Sequence, residues 1–547
     1  MSAPLSRPSP TRLAVGLLTV LLLLLGAAPN ASPLTAAGRS LVLHTTEGSL
    51  RGISRDGTDQ LLGVRYAAAP TGDLRWRSPA APPSWTGIRT ADKKGAACPQ
   101  QGVEGSEDCL FVNVYRPERP HHRGPLPVFV WLHGGGFTGG SGNDFDPVEL
   151  VTENDIVVVT VNYRLGALGF LAAPALDTSS PAGNYGLLDQ QAALRWVKAN
   201  IGGWDGDTSR VTLAGESAGG GSVCAQLASP RARGLFSAAV IESDDCIHDV
   251  DTYEEAQARA SAVVKALDCD LATPAQTAAC LRDADSKRIV AATGYIAPNI
   301  SGVLPLLPAT AIATGRWNKM PVLMGSNREE GRAFATDHLQ DTQAGYERWL
   351  ATAPAWPPMS TGAPVFGNAE TARAIAKEYP LSDFPEPYPA AYAIAAVITD
   401  SGTRGLGGCT SLRTARAIST QQPVYYYQFQ DPHPPRMADS PAGYDYAAAH
   451  AYELPYLFPR LSDSHGVPYG DRMTSAQRRL AHSMRAAWAD FARGSRTARP
   501  LGNGWRPLGP LAHRDTYLPL QPGSLTSAAL DEYAQQHHCE LWDRVTP

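Results

Sequence analysis

The 547-residue sequence predicts an α/β fold in which helices cover both faces of a mostly parallel central sheet. The first observation is a series of short apolar runs: Val128–Leu132, Ile156–Val161, Val211–Ala214, Ala238–Ile241 and Val322–Met324. Continuous runs of this kind are typical of strands that are buried on both faces. The second observation is that helical patterns separate several of the runs, as crossover helices do between parallel strands.

Two helices can be placed within this alternation. Leu188, Ala192, Trp196 and Val197 fall on one face of a helix that Gly202-Gly203 is expected to end. Residues 218–228 form a second predicted helix, which Ser229-Pro230 ends because proline cannot continue it.

The composition describes an ordinary globular protein, with 43% apolar and 18% charged residues. A net charge of -5 provides no basic surface for nucleic acid, so we expect no nucleic-acid partner. The Ala- and Arg-rich, Lys-poor usage favours a bacterial genome. No repeat or low-complexity linker divides the chain, so residues 38–547 are expected to form one domain with long loop insertions. The proline-rich stretch 353–364 is interpreted as a surface excursion.

The N-terminus has the features of a secretory signal. Arg7 and Arg12 precede the apolar run Leu13–Leu25, and small residues follow it. A membrane anchor is the alternative, but a helix of this run would span only about 20 Å of a hydrocarbon core of about 30 Å. We therefore expect a signal peptide at residues 1–31, cleaved somewhere between 26 and 37, and a secreted protein without a stable membrane anchor.

Eight cysteines, an even number, fit an oxidising compartment. Cys98 and Cys109 are close in sequence, as are Cys269 and Cys280, and either pair could close a small loop. Zinc is the competing interpretation, but the spacings of zinc sites are absent from the sequence. The sequence therefore favours disulfides and predicts no metal.

The pentapeptide Gly215-Glu216-Ser217-Ala218-Gly219 matches the G-x-S-x-G nucleophile elbow. In that elbow a sharp turn between a strand and a helix projects the serine clear of the backbone. The predicted strand before it and the predicted helix after it fit this geometry. Ser217 is therefore a candidate nucleophile.

The segment His133-Gly134-Gly135-Gly136-Phe137 directly follows a predicted strand. Consecutive glycines let bare backbone N–H groups approach a reacting carbonyl oxygen, which would form an oxyanion hole together with the N–H of Ala218. A phosphate-binding loop is the rival interpretation, but no Gly-Lys-Ser/Thr follows.

A nucleophilic serine also needs an acid and a base, which follow it in the order Ser, Asp/Glu, His in proteins with this elbow. Residues 325–331 place Glu329 and Glu330 just past a strand end, where α/β catalytic groups lie. The downstream histidine candidates are His433, His450, His465 and His482. Small neighbouring side chains favour His450, because they would leave its imidazole accessible.

Several ordered blocks resemble the type-B carboxylesterase/lipase family, the α/β-hydrolases that include the cholinesterases. They are Gly63-Val64-Arg65-Tyr66, Leu74-Arg75-Trp76, residues 107–115, residues 161–166 and residues 184–191. The resemblance runs from about Val42 to Trp542 and implies the α/β-hydrolase fold.

The resemblance implies a Ser-His-Glu triad. It assigns the nucleophile to Ser217, the base to His450 and the acid to Glu330, which precedes a glycine as in the family block, and not to Glu329. The implied activity is hydrolysis of a small-molecule carboxylic ester by water through an acyl-enzyme, with no cofactor or metal. A lipase acting on longer-chain lipid esters and a non-catalytic adhesion member of the fold are the alternatives.

The resemblance also implies supporting roles. The oxyanion donors fall on Gly135, Gly136 and Ala218, and Ser243 supports the acid. Glu216 either favours positive charge in the pocket or belongs to a local polar network. The implied disulfides are Cys98–Cys109, Cys269–Cys280 and Cys409–Cys539, with Cys224–Cys246 left open as a fourth.

Two departures from the family matter. Where relatives often have Gln-Ser-Gly, this chain has Glu242-Ser243-Asp244, which brings two further carboxylates near the site. The loop Pro99–Asp108 contains no aromatic residue, whereas cholinesterases carry a choline-binding tryptophan in the corresponding loop. Specificity for choline esters is therefore not expected.

Overall fold

A computed structural model describes residues 41–177, 183–247, 250–353, 366, 368–402, 405–494, 505–509 and 515–545. The predicted signal peptide at residues 1–31 lies outside the described residues, as does nearly all of the proline-rich stretch 353–364. Among the helices of the described ranges, none combines the length and the apolar character needed to cross a membrane.

The strands of the described chain are mostly short. In chain order they are β1 (Val42–His44), β2 (Ser49–Arg51), β3 (Ile53–Arg55), β4 (Thr58–Arg65), β5 (Ile88–Thr90), β6 (Phe111–Pro117), β7 (Leu126–Leu132), β8 (Val157–Val161), β9 (Gly206–Glu216), β10 (Ala238–Glu242), β11 (Val322–Asn327), β12 (Val424–Phe429), β13 (Thr516–Leu520) and β14 (Ala528–Ala529). The five predicted strands correspond to β7 through β11.

Eleven of these strands form one sheet in the order β14-β13-β12-β11-β10-β9-β7-β8-β6-β4-β3. The central strands from β13 to β8 are parallel, and antiparallel strands extend both edges. The predicted mostly parallel sheet is confirmed. A separate three-stranded sheet has the order β1-β2-β5.

The helices are α1 (Val148–Asn154), α2 (Gly166–Phe170), α3 (Tyr185–Asn200), α4 (Ala218–Ala228), α5 (Tyr253–Ala266), α6 (Pro274–Asp283), α7 (Ser286–Ala292), α8 (Pro308–Ala313), α9 (Gln343–Thr352), α10 (Ala369–Glu378), α11 (Pro389–Ser401), α12 (Gly408–Ser419), α13 (Leu454–Leu457), α14 (Ser475–Ala492), α15 (Leu530–Gln536) and α16 (Cys539–Val545). The predicted bounds of α4 are confirmed. Helix α3 ends at Asn200 with Ile201 as its C-cap, directly before Gly202-Gly203, and the chain continues in a 3₁₀ turn over Ile201–Trp204.

The period of two along β7 explains why helices cover both faces of the sheet. Val128, Val130 and Leu132 join a core that also contains Leu194 of α3 and Val223 of α4. Phe129 and Trp131, the alternate residues, join a second core with Met484 and Trp488 of α14. The strand is therefore apolar throughout, because each face is buried against a different set of helices.

Four disulfides pair all eight cysteines: Cys98–Cys109, Cys224–Cys246, Cys269–Cys280 and Cys409–Cys539. Three of them are the pairings that the resemblance implied, and Cys224–Cys246 is the fourth. The fourth bridge ties α4, which begins directly after Ser217, to the segment that follows β10.

Candidate active site

Ser217 occupies a sharp turn between β9 and α4. Its backbone has φ 56° and ψ -128°, a conformation that side chains rarely adopt. The flanking glycines make the turn possible, because a Cβ on Gly215 would lie 2.4 Å from the Gly219 carbonyl carbon. A Cβ on Gly219 would lie 2.1 Å from the carbonyl oxygen of Leu132. The Ser217 backbone N–H donates to the Glu242 carbonyl at 2.9 Å, which anchors the turn to β10.

His450 and Glu330 meet although 120 residues separate them in the chain. His450 Nδ1 donates to Glu330 Oε2 at 2.7 Å, and the His450 backbone N–H donates to the Glu330 carbonyl at 3.4 Å. Glu330 is fully buried just past the end of β11, and its Oε1 accepts the backbone N–H of Asn327 at 2.7 Å. With Nδ1 held in this way, Nε2 is the ring nitrogen left for chemistry.

The glycine-rich segment lies directly against the elbow. A Cβ on Gly134 would lie 3.0 Å from the Ser217 Cβ, so a larger residue would displace Ser217. Gly135 and Gly136 have φ of 106° and 59°, values that favour glycine. In the described part of the chain the amides of these two glycines donate no hydrogen bond, so they are available as donors. Ala218 is the first residue of α4, and helix N-termini present free N–H groups.

Neighbouring groups hold the glycine-rich segment in place. Gln100, in the loop closed by Cys98–Cys109, exchanges two hydrogen bonds with the backbone of Gly140, at 2.8 and 2.9 Å. His133 Nδ1 donates to the Gly134 carbonyl at 2.8 Å, and its ring stacks on Tyr163. Burial lowers the pKa of His133 to about 4, so this ring is neutral at neutral pH and serves as scaffold.

Six of the predicted site residues line one cavity of about 910 Å³ at the carboxyl ends of the parallel strands, whereas Glu330 and Ser243 are not part of its wall. Its lining includes Ser217, His450, Gly135, Gly136, Ala218 and Glu216. Apolar side chains form other parts of the wall, among them Phe145, Phe334, Leu406 and Leu454. The Phe334 ring lies 5.3 Å from the His450 ring, centroid to centroid. The wall also includes charged side chains, among them Lys94, Asp144 and Arg460, so the cavity combines an accessible serine with both apolar and charged surface.

Glu216 is buried next to Ser217, and its Oε1 lies 3.3 Å from His450 Nε2. Burial raises the pKa of Glu216 to about 7, the His450 charge lowers it, and Glu330 raises it. The sequence leaves two roles open for Glu216: favouring positive charge in the pocket, or belonging to a local polar network. The geometry favours the first role, because the carboxyl faces the His450 imidazole.

Ser243 is buried after β10, and its backbone N–H donates to the Gly325 carbonyl at 2.9 Å. Its hydroxyl has no hydrogen-bond partner in the described part of the chain, so no direct bond to Glu330 is present there. Sequence reasoning missed two residues close to Glu330, Asn327 and Glu453. Asn327 donates its backbone N–H to Glu330 and its side-chain amide to Glu453, which is fully buried. Asn327 lies within residues 325–331, the same segment that drew attention to Glu330, and this was the signal that could have pointed to it.

Potential metal ligands were sought among the described residues. Among the described residues, three possible ligands lie close together: Cys224, Asp244 and Cys246. Both of its sulfurs belong to a disulfide and offer no thiolate.

The fold and the site define an α/β-hydrolase. The chain belongs to the carboxylesterase family, whose model matches residues 39–542, and it is a carboxylic-ester hydrolase. It is 34% identical over 479 residues to a fumonisin B1 esterase from Sphingopyxis macrogoltabida, covering 83% of this chain and 82% of the relative. It is 32% identical over 478 residues to a para-nitrobenzyl esterase from Bacillus subtilis (strain 168), covering 83% and 89%.

Solved structures agree with these sequence relatives. A PNB esterase structure superposes with a TM-score of 0.74 at 30% identity, covering 91% of this chain and all of that one. A thermophilic PNB esterase gives the same TM-score at 29% identity. The α/β-hydrolase fold is therefore shared over nearly the whole chain.

Proposed function

We propose that the protein is a secreted serine esterase in which Ser217, His450 and Glu330 form the catalytic triad. The observation that carries this proposal is the 2.7 Å bond from His450 Nδ1 to Glu330, with Ser217 lining the same cavity as His450. A buried carboxylate in this position fixes the imidazole tautomer and stabilises the imidazolium that forms when the serine loses its proton.

Acylation begins when Ser217 Oγ attacks the ester carbonyl carbon while His450 Nε2 accepts the hydroxyl proton. The carbonyl oxygen becomes an oxyanion, which the backbone N–H groups of Gly135, Gly136 and Ala218 stabilise. When the tetrahedral intermediate collapses, the bond to the alcohol oxygen breaks and His450 returns the proton to that oxygen. The acyl group remains on Ser217.

Deacylation repeats these steps with water as the nucleophile. His450 removes a proton from the water that attacks the acyl carbon, and then returns a proton to Ser217 Oγ. The products are the carboxylic acid and the free enzyme, and every step uses only the triad, backbone amides and water.

We further propose that residues 38–547 act as one catalytic domain on small-molecule esters, without nucleic-acid partners. Because one relative is a para-nitrobenzyl esterase, a para-nitrobenzyl ester is a suitable first probe.

Labelling tests the identity of the nucleophile. A serine-directed organophosphate is expected to add one phosphoryl group per protein molecule at Ser217 and to abolish turnover of a p-nitrophenyl ester. Intact-protein and peptide mass spectrometry locate the adduct. The matched control is Ser222→Ala, since Ser222 is a buried serine of α4 that donates no group to the cavity. Labelling of Ser217→Ala at the parent rate would refute the proposal.

Secretion is proposed from the sequence of residues 1–31 and is supported by the four disulfides, which form in oxidising compartments. Protein collected from the medium of an expressing culture is expected to begin between residues 27 and 38. N-terminal sequencing measures this directly. Active protein that remains in the cell fraction with Met1 in place would contradict the proposal.

A further inference from the structure

Behind the nucleophile, four adjacent strands place a row of residues in register on one face of the sheet. Glu242 of β10 pairs with Glu216 of β9 and with Gly325 of β11, and Gly325 pairs with Tyr427 of β12. Because Gly325 lacks a side chain, the Tyr427 ring occupies the space above it. A Cβ on Gly325 would lie 2.5 Å from Tyr427 Cδ1. The phenol of Tyr427 is thereby brought toward the carboxyl of Glu242.

The polar atoms of this row are buried and incompletely paired. Glu242 is fully buried, and its Oε1 accepts the indole N–H of Trp488 at 2.7 Å. Glu242 Oε2, Tyr427 Oη and Glu453 Oε1 have no hydrogen-bond partner within the described residues. A buried carboxylate in such surroundings is strongly destabilised unless a proton or a cation neutralises it.

The groups around Glu242 provide no cation within the described chain. The titratable groups that face it are Glu216 from β9, Tyr427 from β12 and Glu453 from the segment before α13, while α14 contributes the neutral Trp488. The pKa of Glu242 is raised to about 8, mainly by burial; the hydrogen bond from Trp488 opposes this rise and the Glu216 charge adds to it. Burial also raises the pKa of Glu453 well above its ordinary value.

We propose that Glu242 is a positioning residue that holds a proton at neutral pH and so limits the negative charge behind Ser217. The proposal rests on the proposed function, since its kinetic effect acts through the oxyanion formed at Ser217. A protonated carboxyl is neutral and can donate a hydrogen bond, as a glutamine amide can. Loss of the proton adds a negative charge behind Glu216, which opposes the charge that develops on the ester oxygen.

The test is the pH dependence of kcat/KM for the parent and for Glu242→Gln. One extra charge acting over about two strand spacings, or about 10 Å, at an effective dielectric of 20 lowers the rate by about tenfold. The parent is therefore expected to lose about tenfold in kcat/KM between pH 7 and pH 9 through this group, and Glu242→Gln is expected to lack that fall. The matched control is Glu370→Gln, an exposed carboxyl at the start of α10, which should follow the parent profile.

Two further measurements test the proposal even if Glu242→Gln has too little activity for its kcat/KM to be measured. The infrared difference spectrum of the parent minus Glu242→Gln should show a protonated-carboxyl band at pH 7 that disappears toward pH 9, because the subtraction removes the bands of Glu216 and Glu453. The second measurement is thermal stability as a function of pH. The pKa of Glu242 is higher in the folded protein than in the unfolded chain. The stability that Glu242 contributes is therefore fully present below about pH 4.5 and is lost as the pH rises to about 8. The melting temperature of Glu242→Gln, measured relative to that of the parent, should therefore increase as the pH rises from 5 to 8.

The outcomes separate this inference from the proposed mechanism. The same alkaline fall in Glu242→Gln and in the parent, or a parent-minus-variant infrared spectrum without a titrating carboxyl band, would overturn the role of Glu242. The infrared band can also be recorded in Ser217→Ala, where no turnover is required. Retained esterase activity in that variant would refute the triad while leaving the protonation of Glu242 intact.

Discussion

Replacing His450 with alanine is expected to lower kcat for a p-nitrophenyl ester by about 10⁶-fold, because Ser217 then has no base to accept its proton. The 2.7 Å bond from His450 Nδ1 to Glu330 is specific to this imidazole, so another side chain cannot take over the proton transfer. Steady-state hydrolysis, with the enzyme concentration fixed by absorbance, measures the loss.

A double variant sharpens this expectation. Residues that act as one unit are not additive, so Ser217→Ala combined with His450→Ala should be no slower than either single variant. His482→Ala is the matched control, since His482 was a candidate from sequence but is exposed on α14 beside Glu153. A double variant far slower than both single variants would show that the two residues act independently, contrary to the triad.

The parallel centre of the fold was predictable because each of its strands is buried on both faces, and such strands are visible as unbroken apolar runs. The strand β12 was missed, although it contains Tyr425, Tyr426 and Tyr427, because aromatic residues in a row fit several structures. The antiparallel edge strands β3, β4 and β6 were missed as well. β4 carries Thr58, Asp59 and Gln60, polar residues that are buried only through tertiary pairing.

In the candidate site, too, some residues belong to continuous segments of the sequence, whereas others are brought together only by the fold. Ser217 and the glycine-rich segment could be found from residues alone, since the elbow and the oxyanion loop are continuous segments with local geometric demands. Small neighbouring side chains favoured His450 over three other histidines, but the residues alone could not identify its partner, because Glu330 is distant in the chain. The row from Glu216 to Tyr427 was invisible for the same reason: strand order and register bring its members together, and neither is encoded in a local pattern.

Gly219→Ala is expected to lower the free energy of unfolding by more than about 4 kcal/mol or to prevent folding. Its Cβ would lie 2.1 Å from the Leu132 carbonyl oxygen and 3.0 Å from the His133 carbonyl oxygen. Both oxygens belong to backbone at the end of β7, which cannot rotate away as a side chain can. Relief therefore requires α4 to move off the sheet, and that movement would also carry Ala218 and Ser217 away from the glycine-rich segment.

Urea unfolding monitored by tryptophan fluorescence measures the effect. The matched control is Gly202→Ala, because a Cβ there would meet only Thr208 Cγ2 at 3.9 Å, an ordinary contact. This control is expected to stay within about 1 kcal/mol of the parent. If Gly219→Ala were equally stable, α4 would have room to shift, and the close approach that aligns the Ala218 amide with the amides of Gly135 and Gly136 would not be obligatory. The positions of the Ala218 amide and of the Gly135 and Gly136 amides would then have to depend on other contacts, such as the pairing of β7 with β9 up to Leu132 and Gly215.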